Sequence, residues 1–276
     1  MPVLIEMLRF SFSIYLPMTL KSVKLTTFKR PLIIAHRGYR AKYPENTLAS
    51  FKAALDAGAG MIELDVMLTR DRKMVVIHDA TLERTTDGYG QVNSYTLKEL
   101  KELDAGSWFH PRFAGERLPE LEEVLDLVRG RALLDIEIKS NSYEAHQPPD
   151  AIEKQVVELV RRRNALTSVL ISSFEWKILK NVASMEDSPA IALISKYPAE
   201  ENNVKLCIRL KAFSWHPNCS ELKYDQVKIM REQGIKVFPY NVDSPGEYQR
   251  MIQMDVDGII TSDPPLLSAW PKTPLY

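Results

Sequence analysis

Four charged residues occur in two short patterns that could bind a cation. Glu63 and Asp65 lie two residues apart in one apolar run, and Glu137 and Lys139 repeat this spacing in a later run. Residues two apart on a β-strand point to the same face, so each pair would share one side of its strand. Three carboxylates brought together repel one another unless a cation lies between them. Oxygen ligands select one hard divalent cation, Mg²⁺ or Ca²⁺, so we predict that Glu63, Asp65 and Glu137 bind it.

A simpler interpretation of the same residues is a set of salt bridges at solvated strand ends, with Lys139 paired to Glu137. This interpretation suits any single acid well, because charged residues usually lie at the surface. It explains the repeated spacing of the trio less well, and we favour the metal site.

Two histidines end apolar runs and are candidates for proton transfer. His36 is followed by Arg37 and Gly38, and His78 ends a run that follows the first acidic pair. Imidazole titrates near neutral pH, so one histidine can act as a general base and the other as a general acid. Gly38 would let the chain turn sharply and let a ligand approach the backbone. His216 also ends an apolar run and could line the pocket.

The charge of the predicted site suits a phosphodiester. Three carboxylates, one dication and the two cations Arg37 and Lys139 leave one net positive charge. A phosphodiester is a monoanion at neutral pH, and Arg37 and Lys139 are the side-chain types that bind phosphate oxygens. A divalent metal would polarise a phosphoryl oxygen.

Eight short apolar runs alternate with segments of helical periodicity, which is typical of βα units around a parallel sheet. We therefore predict a (β/α)8 TIM barrel with seven crossovers and a closing helix, a fold of about this length. Helical periodicity is clearest at 46–57, 151–163 and 224–233. The predicted strands are 32–36, 61–65, 133–139, 169–173, 190–195, 212–216, 236–241 and 258–261.

A ninth apolar run, at 74–78, follows the second strand too closely for a helical crossover, so it should return antiparallel. We expect a small capping insertion at about 66–115, over the end of the barrel where such enzymes place their chemistry. Its aromatic residues Trp108, Phe109 and Phe113 would pack the cap onto the barrel or border an entrance for an acyl chain; we favour packing.

Composition narrows the class of protein. The 276 residues carry 36 basic and 36 acidic side chains, so no excess of positive charge is available to bind nucleic acid. No apolar run reaches the roughly 20 residues of a membrane-spanning helix, and we expect no stable membrane insertion. Cys207 and Cys219 lack a CxxC spacing and favour a reducing compartment, so the expected location is the cytoplasm. Self-association as a homodimer stays open.

The first 30 residues precede the first predicted strand. The stretch 10–20 (FSFSIYLPMTL) is a poor signal peptide, because Glu6 precedes it, Pro17 interrupts it and no small-residue cleavage site follows. We expect residues 1–30 to be a flexible extension and residues 31–276 to form one domain.

Five motifs, in order along the chain, resemble those of the glycerophosphodiester phosphodiesterases, and most closely the short cytosolic bacterial type. The likeness extends from about Leu32 to Pro264. The motifs are 35–38 (AHRG), 44–47 (PENT), 62–66 (IELDV), 78–79 (HD) with 82–86 (LERTT), and 136–139 (IEIK).

The resemblance implies hydrolysis of a small glycerophosphodiester to sn-glycerol 3-phosphate and an alcohol, with the glycerol 2-hydroxyl as an internal nucleophile. By motif, the catalytic pair matches His36 and His78, with His36 assigned as base and His78 as acid, and Glu45 matches an acid that orients His36 or Arg37. The metal ligands match Glu63, Asp65 and Glu137, and the residues for the substrate phosphate match Arg37 and Lys139.

The chain departs from the family pattern in two places. Residues 237–241 read VFPYN where the family often has VWTVN, which changes the expected glycerol contacts. Asp135 is an additional acid one layer below Glu137. It could support the metal site or be a buried, hydrogen-bonded acid, and we favour the second.

Three alternative functions stay open at the level of sequence. One is a phosphodiesterase of the phosphatidylinositol phospholipase C type, which releases a cyclic phosphate. Another is an enzyme of the lysophospholipase D type that acts on lipid. The third is a binding protein without activity on the same scaffold, which would be expected to have lost catalytic residues; both histidines and all three acids are present.

Overall fold

The structure is a computed structural model that describes residues 23–196 and 201–265. Eight parallel strands joined by seven helical crossovers form the barrel, which confirms the predicted (β/α)8 fold. The strands are β1 (Leu32–His36), β2 (Met61–Leu68), β3 (Met74–Val76), β4 (Leu133–Ile138), β5 (Val169–Ser173), β6 (Ala190–Ser195), β7 (Ser214–Pro217), β8 (Lys236–Val237) and β9 (Gly258–Thr261). The helices are α1 (Leu48–Asp56), α2 (Leu97–Leu100), α3 (Leu121–Val128), α4 (Ile152–Arg162), α5 (Trp176–Ala183), α6 (Glu201–Leu210), α7 (Tyr224–Glu232) and α8 (Pro245–Gln253).

The barrel closes irregularly between β8 and β9. The parallel ladder runs in the order β8-β7-β6-β5-β4-β2-β1-β9, and its two ends meet through single backbone hydrogen bonds. The amide of Ile260 donates to the carbonyl of Pro239 at 3.0 Å, and the amide of Val242 donates to the carbonyl of Ile260 at 2.9 Å. The predicted strand 236–241 is therefore too long, because Pro239 has no N–H to donate to a ladder.

The predicted antiparallel return after β2 is present. β2 continues to Leu68, three residues beyond Asp65, and pairs with β3 in a register that places Val66 opposite Val76. Beneath the chain that follows, a separate apolar cluster forms from Met67, Val75, Ile77, Leu82, Val92, Leu100, Ala105 and Leu118. The hairpin and the segment after it thus have a small core of their own.

Strand residues alternate between the helix side and the barrel interior. Leu64, Ile136 and Ile138 belong to the large outer core between strands and helices, so the neighbouring acids point inward as predicted. The lower barrel interior is filled by a second apolar cluster that includes Leu32, Ile34, Met61, Leu133, Leu170, Phe238 and Ile260. Polar chemistry is consequently confined to the C-terminal ends of the strands.

The predicted helices are present with shorter bounds. Asn46 has a φ of 56°, which a helix cannot include, and α1 begins after Thr47, whose hydroxyl accepts from the amide of Ser50 at 3.2 Å. Among the described residues, no helix is long and apolar enough to cross a membrane. The predicted closing helix after β9 lies largely outside the described residues.

The described part of the N-terminal segment lies against the barrel. Leu25 is buried, and its amide donates to the carbonyl of Thr167 at 2.9 Å. The stretch 10–20 lies outside the described residues, and the extent of the flexible extension stays a prediction.

Candidate functional site

A pocket of about 200 Å³ opens at the C-terminal ends of the strands. Six of the predicted site residues line it, and Asp65 and Lys139 contact them from the sides. The lining residues are His36, Arg37, Glu63, His78, Asp135, Glu137, Phe174, Ile194, His216, Tyr240, Asn241 and Ile260.

The three predicted metal ligands converge. Glu63, Asp65 and Glu137 are buried, and each offers a carboxylate oxygen within 4.8 Å of the others. β2 and β4 are paired so that Asp65 lies beside Glu137, which brings the two predicted patterns together. Burial, followed by the charges of Asp65 and Glu137, raises the pKa of Glu63 well above its usual value. Burial and Asp65 raise the pKa of Glu137 to about 7. Negative charge is thus costly here unless a cation compensates it.

Two side-chain cations already contact the acids. The Lys139 ammonium lies 3.1 Å from Asp65 Oδ1 and 2.7 Å from Glu137 Oε1, so the ion pair of the simpler interpretation is present as well. Arg37 Nε lies 3.3 Å from Asp65 Oδ2, and the Arg37 amide donates to Glu63 Oε2 at 2.8 Å. Burial opposes ionisation of Asp65, but Lys139 and Arg37 outweigh it and lower its pKa. With its three carboxylates ionised and its two side-chain cations, the site has one net negative charge. A bound dication would change this to one net positive charge.

His36 lies beside the acids with a free ring nitrogen. Its Nε2 is 3.9 Å from Glu63 Oε2, and its buried Nδ1 has no hydrogen-bond partner among the described residues. Burial, and then the charge of Arg37, lowers the pKa of His36 well below 6.5. The imidazole is therefore neutral at pH 7 and able to accept a proton.

His78 faces the same pocket from the end of the hairpin. Its Nδ1 is hydrogen-bonded to Asp79, whose second oxygen is bound by Arg84. Burial lowers the pKa of His78, and Arg37 adds to this, whereas Asp79 favours the protonated ring. The Asp79 contact fixes the ring, so that Nε2 is the nitrogen left for a ligand.

Glu45 was expected to orient His36 or Arg37, and in the structure it contacts Arg37 and not His36. Its Oε1 accepts from Arg37 Nη1 at 2.9 Å, and both of its oxygens accept from Arg84. Burial opposes its ionisation, but the hydrogen bonds from Arg84 and Arg37 lower the pKa of Glu45 below its usual value. A chain of charged contacts thus links Arg37 to His78 through Glu45, Arg84 and Asp79.

Two contacts at the site were missed by the sequence interpretation. Asn46 Nδ2 donates to Asp65 Oδ2 at 2.9 Å, a contact that its place in the PENT motif could have suggested. Gly38 has a φ of 81°, as expected for a sharp turn, but no ligand is needed to explain it: a Cβ there would lie 2.4 Å from Ser50 Oγ. The group that lies close to the Gly38 backbone is Ser50 of α1.

His216 and Asp135 form the deep end of the pocket. His216 Nε2 is hydrogen-bonded to Ser214 at 2.9 Å, its Nδ1 is 3.5 Å from Asp135 Oδ2, and burial lowers the pKa of His216 to about 3. Burial raises the pKa of Asp135 to about 8. The nearby Ser172 hydroxyl acts against this increase, although the two side chains do not have normal hydrogen-bond geometry. Asp135 is thus buried as expected, but neither oxygen is hydrogen-bonded within the described residues.

The aromatic residues of the cap pack against one another. Phe113 contacts the ring of Tyr43, Phe109 contacts Phe113, and Trp108 contacts Phe109, with centroid distances between 5.3 and 5.8 Å. Tyr43 belongs to the loop after β1, so this row joins the cap to the barrel, which is the packing role that we favoured.

Known proteins share this architecture. The glycerophosphoryl diester phosphodiesterase family model matches residues 36–266. A glycerophosphodiester phosphodiesterase from Caldanaerobacter subterraneus subsp. tengcongensis is 41% identical over 239 residues, which are 86% of this chain and 96% of that protein. One from Bacillus subtilis is 33% identical over 86% of this chain and 85% of its own.

Solved structures agree with this assignment. A phosphodiesterase from Oleispira antarctica, in complex with the product sn-glycerol 3-phosphate, superposes with a TM-score of 0.78 at 27% identity, over 87% of this chain and 96% of that one. The enzyme from Agrobacterium tumefaciens str. C58 gives a TM-score of 0.75 at 29% identity, over 87% of this chain and 100% of its own. With its barrel, its acidic trio and its two histidines in one pocket, the chain belongs to the glycerophosphoryl diester phosphodiesterase family, whose members are phosphodiester hydrolases.

Proposed function

We propose that the protein hydrolyses glycerophosphodiesters to sn-glycerol 3-phosphate and an alcohol, using one Mg²⁺ or Ca²⁺ ion and the histidines His36 and His78. The observation that carries this proposal is the meeting of three buried, mutually repelling carboxylates and two histidines at one pocket. The Oleispira antarctica relative with bound sn-glycerol 3-phosphate supports the product.

The donor set fits a hard divalent cation. Glu63, Asp65 and Glu137 would hold the ion through oxygen atoms alone. Burial and mutual repulsion raise the pKa of Glu63 and Glu137, and a cation would offset this cost of ionisation. When bound, the ion supplies charge compensation for the acids and polarisation of a phosphoryl oxygen. Arg37 and Lys139 add the positive charge that a phosphodiester monoanion needs.

The two histidines differ in a way that supports opposite roles. His36 is neutral and lies at the deep pocket, where its Nε2 accepts the proton of the glycerol 2-hydroxyl as that oxygen attacks phosphorus. His78 is supported by Asp79 and protonates the alcohol oxygen as its P–O bond breaks. The first half leaves a cyclic phosphodiester in which phosphorus is bonded to both the 2- and 3-oxygens of glycerol. In the second half His78 accepts a proton from water as the water oxygen attacks phosphorus, the bond from phosphorus to the 2-oxygen breaks, and His36 returns its proton to that oxygen.

The experiment that tests the proposal is a product analysis of the purified protein with added Mg²⁺ or Ca²⁺. Coupled detection of glycerol 3-phosphate from glycerophosphodiesters supports it. Phosphorus NMR identifies a phospholipase C of the phosphatidylinositol type, because that enzyme would accumulate a cyclic phosphate. A comparison of substrates identifies a lysophospholipase D, which would act on lysophospholipid in preference to the deacylated diester.

We further propose that the reaction takes place in the cytoplasm. Cys207 and Cys219 are free and buried, and burial raises the pKa of Cys207 to about 12 and that of Cys219 to about 11. Neither cysteine forms a disulfide, as is usual for proteins of a reducing compartment. Cell fractionation with an antibody to the protein tests this location.

A further inference from the structure

A second, open groove adjoins the deep pocket. It has a volume of about 460 Å³ and shares His78, Glu137 and Phe174 with the pocket. His36 and His216 line the pocket and do not line the groove. If glycerol occupies the deep pocket, as the proposed function requires, the leaving alcohol on the His78 side extends into this groove. The inference below rests on that proposed function.

The groove carries uncharged hydrogen-bonding side chains. Thr81, Ser140 and Asn141 line it, and Met67, Ala80 and Asn141 also border a further cavity of about 310 Å³. The two spaces are therefore adjacent and share part of a wall. The further cavity is lined by four more uncharged polar side chains, those of Thr69, Gln91, Asn93 and Ser142.

The charged side chains that line both spaces are already paired. Arg70 lies 3.0 Å from Glu99, and Arg72 lies 2.8 Å from Glu144. Asp79 is bound by Arg84, and Lys139 is bound by Asp65 and Glu137. No unpaired carboxylate remains among the described lining residues to balance a quaternary ammonium group.

The groove also lacks the features that an aromatic or apolar head group needs. Phe174, 40% exposed, is the one aromatic ring among its described lining residues, and an ammonium cage takes several. A trimethylammonium group therefore finds neither an aromatic cage nor an unpaired carboxylate among the described lining residues.

The walls of the groove are tied together in advance. Arg72, in the β2–β3 turn, donates to both Glu144 oxygens at 3.1 and 2.8 Å and also binds Asp150. These bonds join the hairpin to the segment after β4 that carries Asn141. A preformed site that contains several hydrogen-bonding side chains lowers the entropic cost of binding a ligand that has many hydroxyl groups.

We infer that this groove binds an uncharged, polyhydroxylated leaving alcohol, so that the protein prefers glycerophosphodiesters of glycerol or a cyclic polyol over those of choline. Amide and hydroxyl side chains both donate and accept hydrogen bonds, which matches the hydroxyl groups of such an alcohol.

The test compares kcat/KM for glycerophosphoglycerol, glycerophosphoinositol and glycerophosphocholine at one saturating metal concentration. We expect at least one polyol ester to exceed the choline ester by about tenfold, the effect of one or two net hydrogen bonds. Asn141→Ala should lower the polyol value by about threefold or more and leave the choline value within about twofold. Gln253→Ala, at an exposed amide on α8, is the matched control and should change neither.

The outcomes separate this inference from the proposed function. Equal kcat/KM for all three esters, or an equal loss for all of them in Asn141→Ala, overturns the groove assignment while glycerol 3-phosphate release still supports the reaction. No glycerol 3-phosphate from any ester overturns both.

Discussion

Arg84 donates two parallel hydrogen bonds to Glu45, at 2.9 and 2.7 Å, across 39 residues of sequence. Arg84 follows the hairpin that carries His78, and Glu45 belongs to the loop after β1 and also binds Arg37. The pair therefore couples the two segments that bring the proposed catalytic histidines to one pocket.

Replacing this arginine should destabilise the protein in a pH-dependent way. Because the folded-state pKa of Glu45 is lowered, its ionisation adds stability above the unfolded value near 4.5, and this contribution is lost as pH falls through the folded pKa. Arg84→Met leaves the Glu45 side chain, 8% exposed, without its main partner. We expect a loss of about 1–2 kcal/mol in the free energy of unfolding at pH 7 and a smaller loss at pH 3.5.

Urea denaturation at the two pH values measures this difference. Arg129→Met is the control, because Arg129 forms an exposed pair with Asp126 that should contribute less than about 0.5 kcal/mol. An equal loss for Arg84→Met at both pH values would contradict the linkage.

Removing either proposed catalytic histidine should abolish most turnover. His36→Ala and His78→Ala are each expected to lower kcat by about 10²–10⁴-fold, the usual contribution of general acid–base catalysis. Circular dichroism should show an intact fold. His146→Ala, at an exposed histidine outside the pocket, should retain activity. Near-normal kcat in either pocket variant would refute the assigned roles.

The pH dependence of kcat/KM should show that the proposed base, His36, has a pKa below the usual range of histidine. Because burial lowers the pKa of His36 well below 6.5, the acidic limb of kcat/KM, on which the base becomes protonated, should have its midpoint below pH 6.5. A separate basic limb should report the loss of the proton from His78, the proposed acid. A profile of kcat/KM between pH 5 and 8 at saturating metal measures the acidic limb. A midpoint at or above 6.5 would show that another group controls it.

The acidic trio should respond to metal in stability as well as in activity. EDTA should abolish turnover, and Mg²⁺ or Ca²⁺ should restore it and raise the melting temperature. Without metal, Glu63→Gln should melt at a higher temperature than the parent, because the change removes like-charge repulsion in a buried cluster. The same variant should gain little from added metal, whereas Glu122→Gln, on the exposed face of α3, should respond like the parent.

A melting temperature of the parent that is unchanged by either cation, together with full activity in metal-free buffer, would rule out the proposed metal site.

Gly38 should tolerate no side chain. A Cβ at this residue would lie 2.4 Å from Ser50 Oγ and 2.8 Å from the Ser50 backbone, at a φ of 81°. We expect Gly38→Ala to cost about 2–3 kcal/mol of unfolding free energy by denaturant titration, from positive φ and steric overlap. Gly246→Ala is the matched control: nothing lies within 4 Å of its added Cβ, and alanine favours the helix. Equal stability of the two variants would contradict the overlap.

Much of the site could be predicted from the spacing of residues that lie close together in the sequence. Residues two apart on a strand must share a face, so Glu63 with Asp65, and Glu137 with Lys139, were predictable as inward pairs from backbone geometry alone. The alternation of apolar runs with helical periodicity likewise determined the barrel, because parallel strands need helical crossovers.

Contacts between segments that are distant in the sequence could not be predicted and are known from the three-dimensional structure. No local pattern states that Glu45 faces Arg37 and Arg84, that Ser50 lies against Gly38, or that the last strands meet through isolated bonds around Pro239. Such pairings depend on how helices and loops pack onto the finished barrel, and packing is a property of the whole chain. Local spacing predicts which residues point inward, and the assembled barrel determines which of them come into contact.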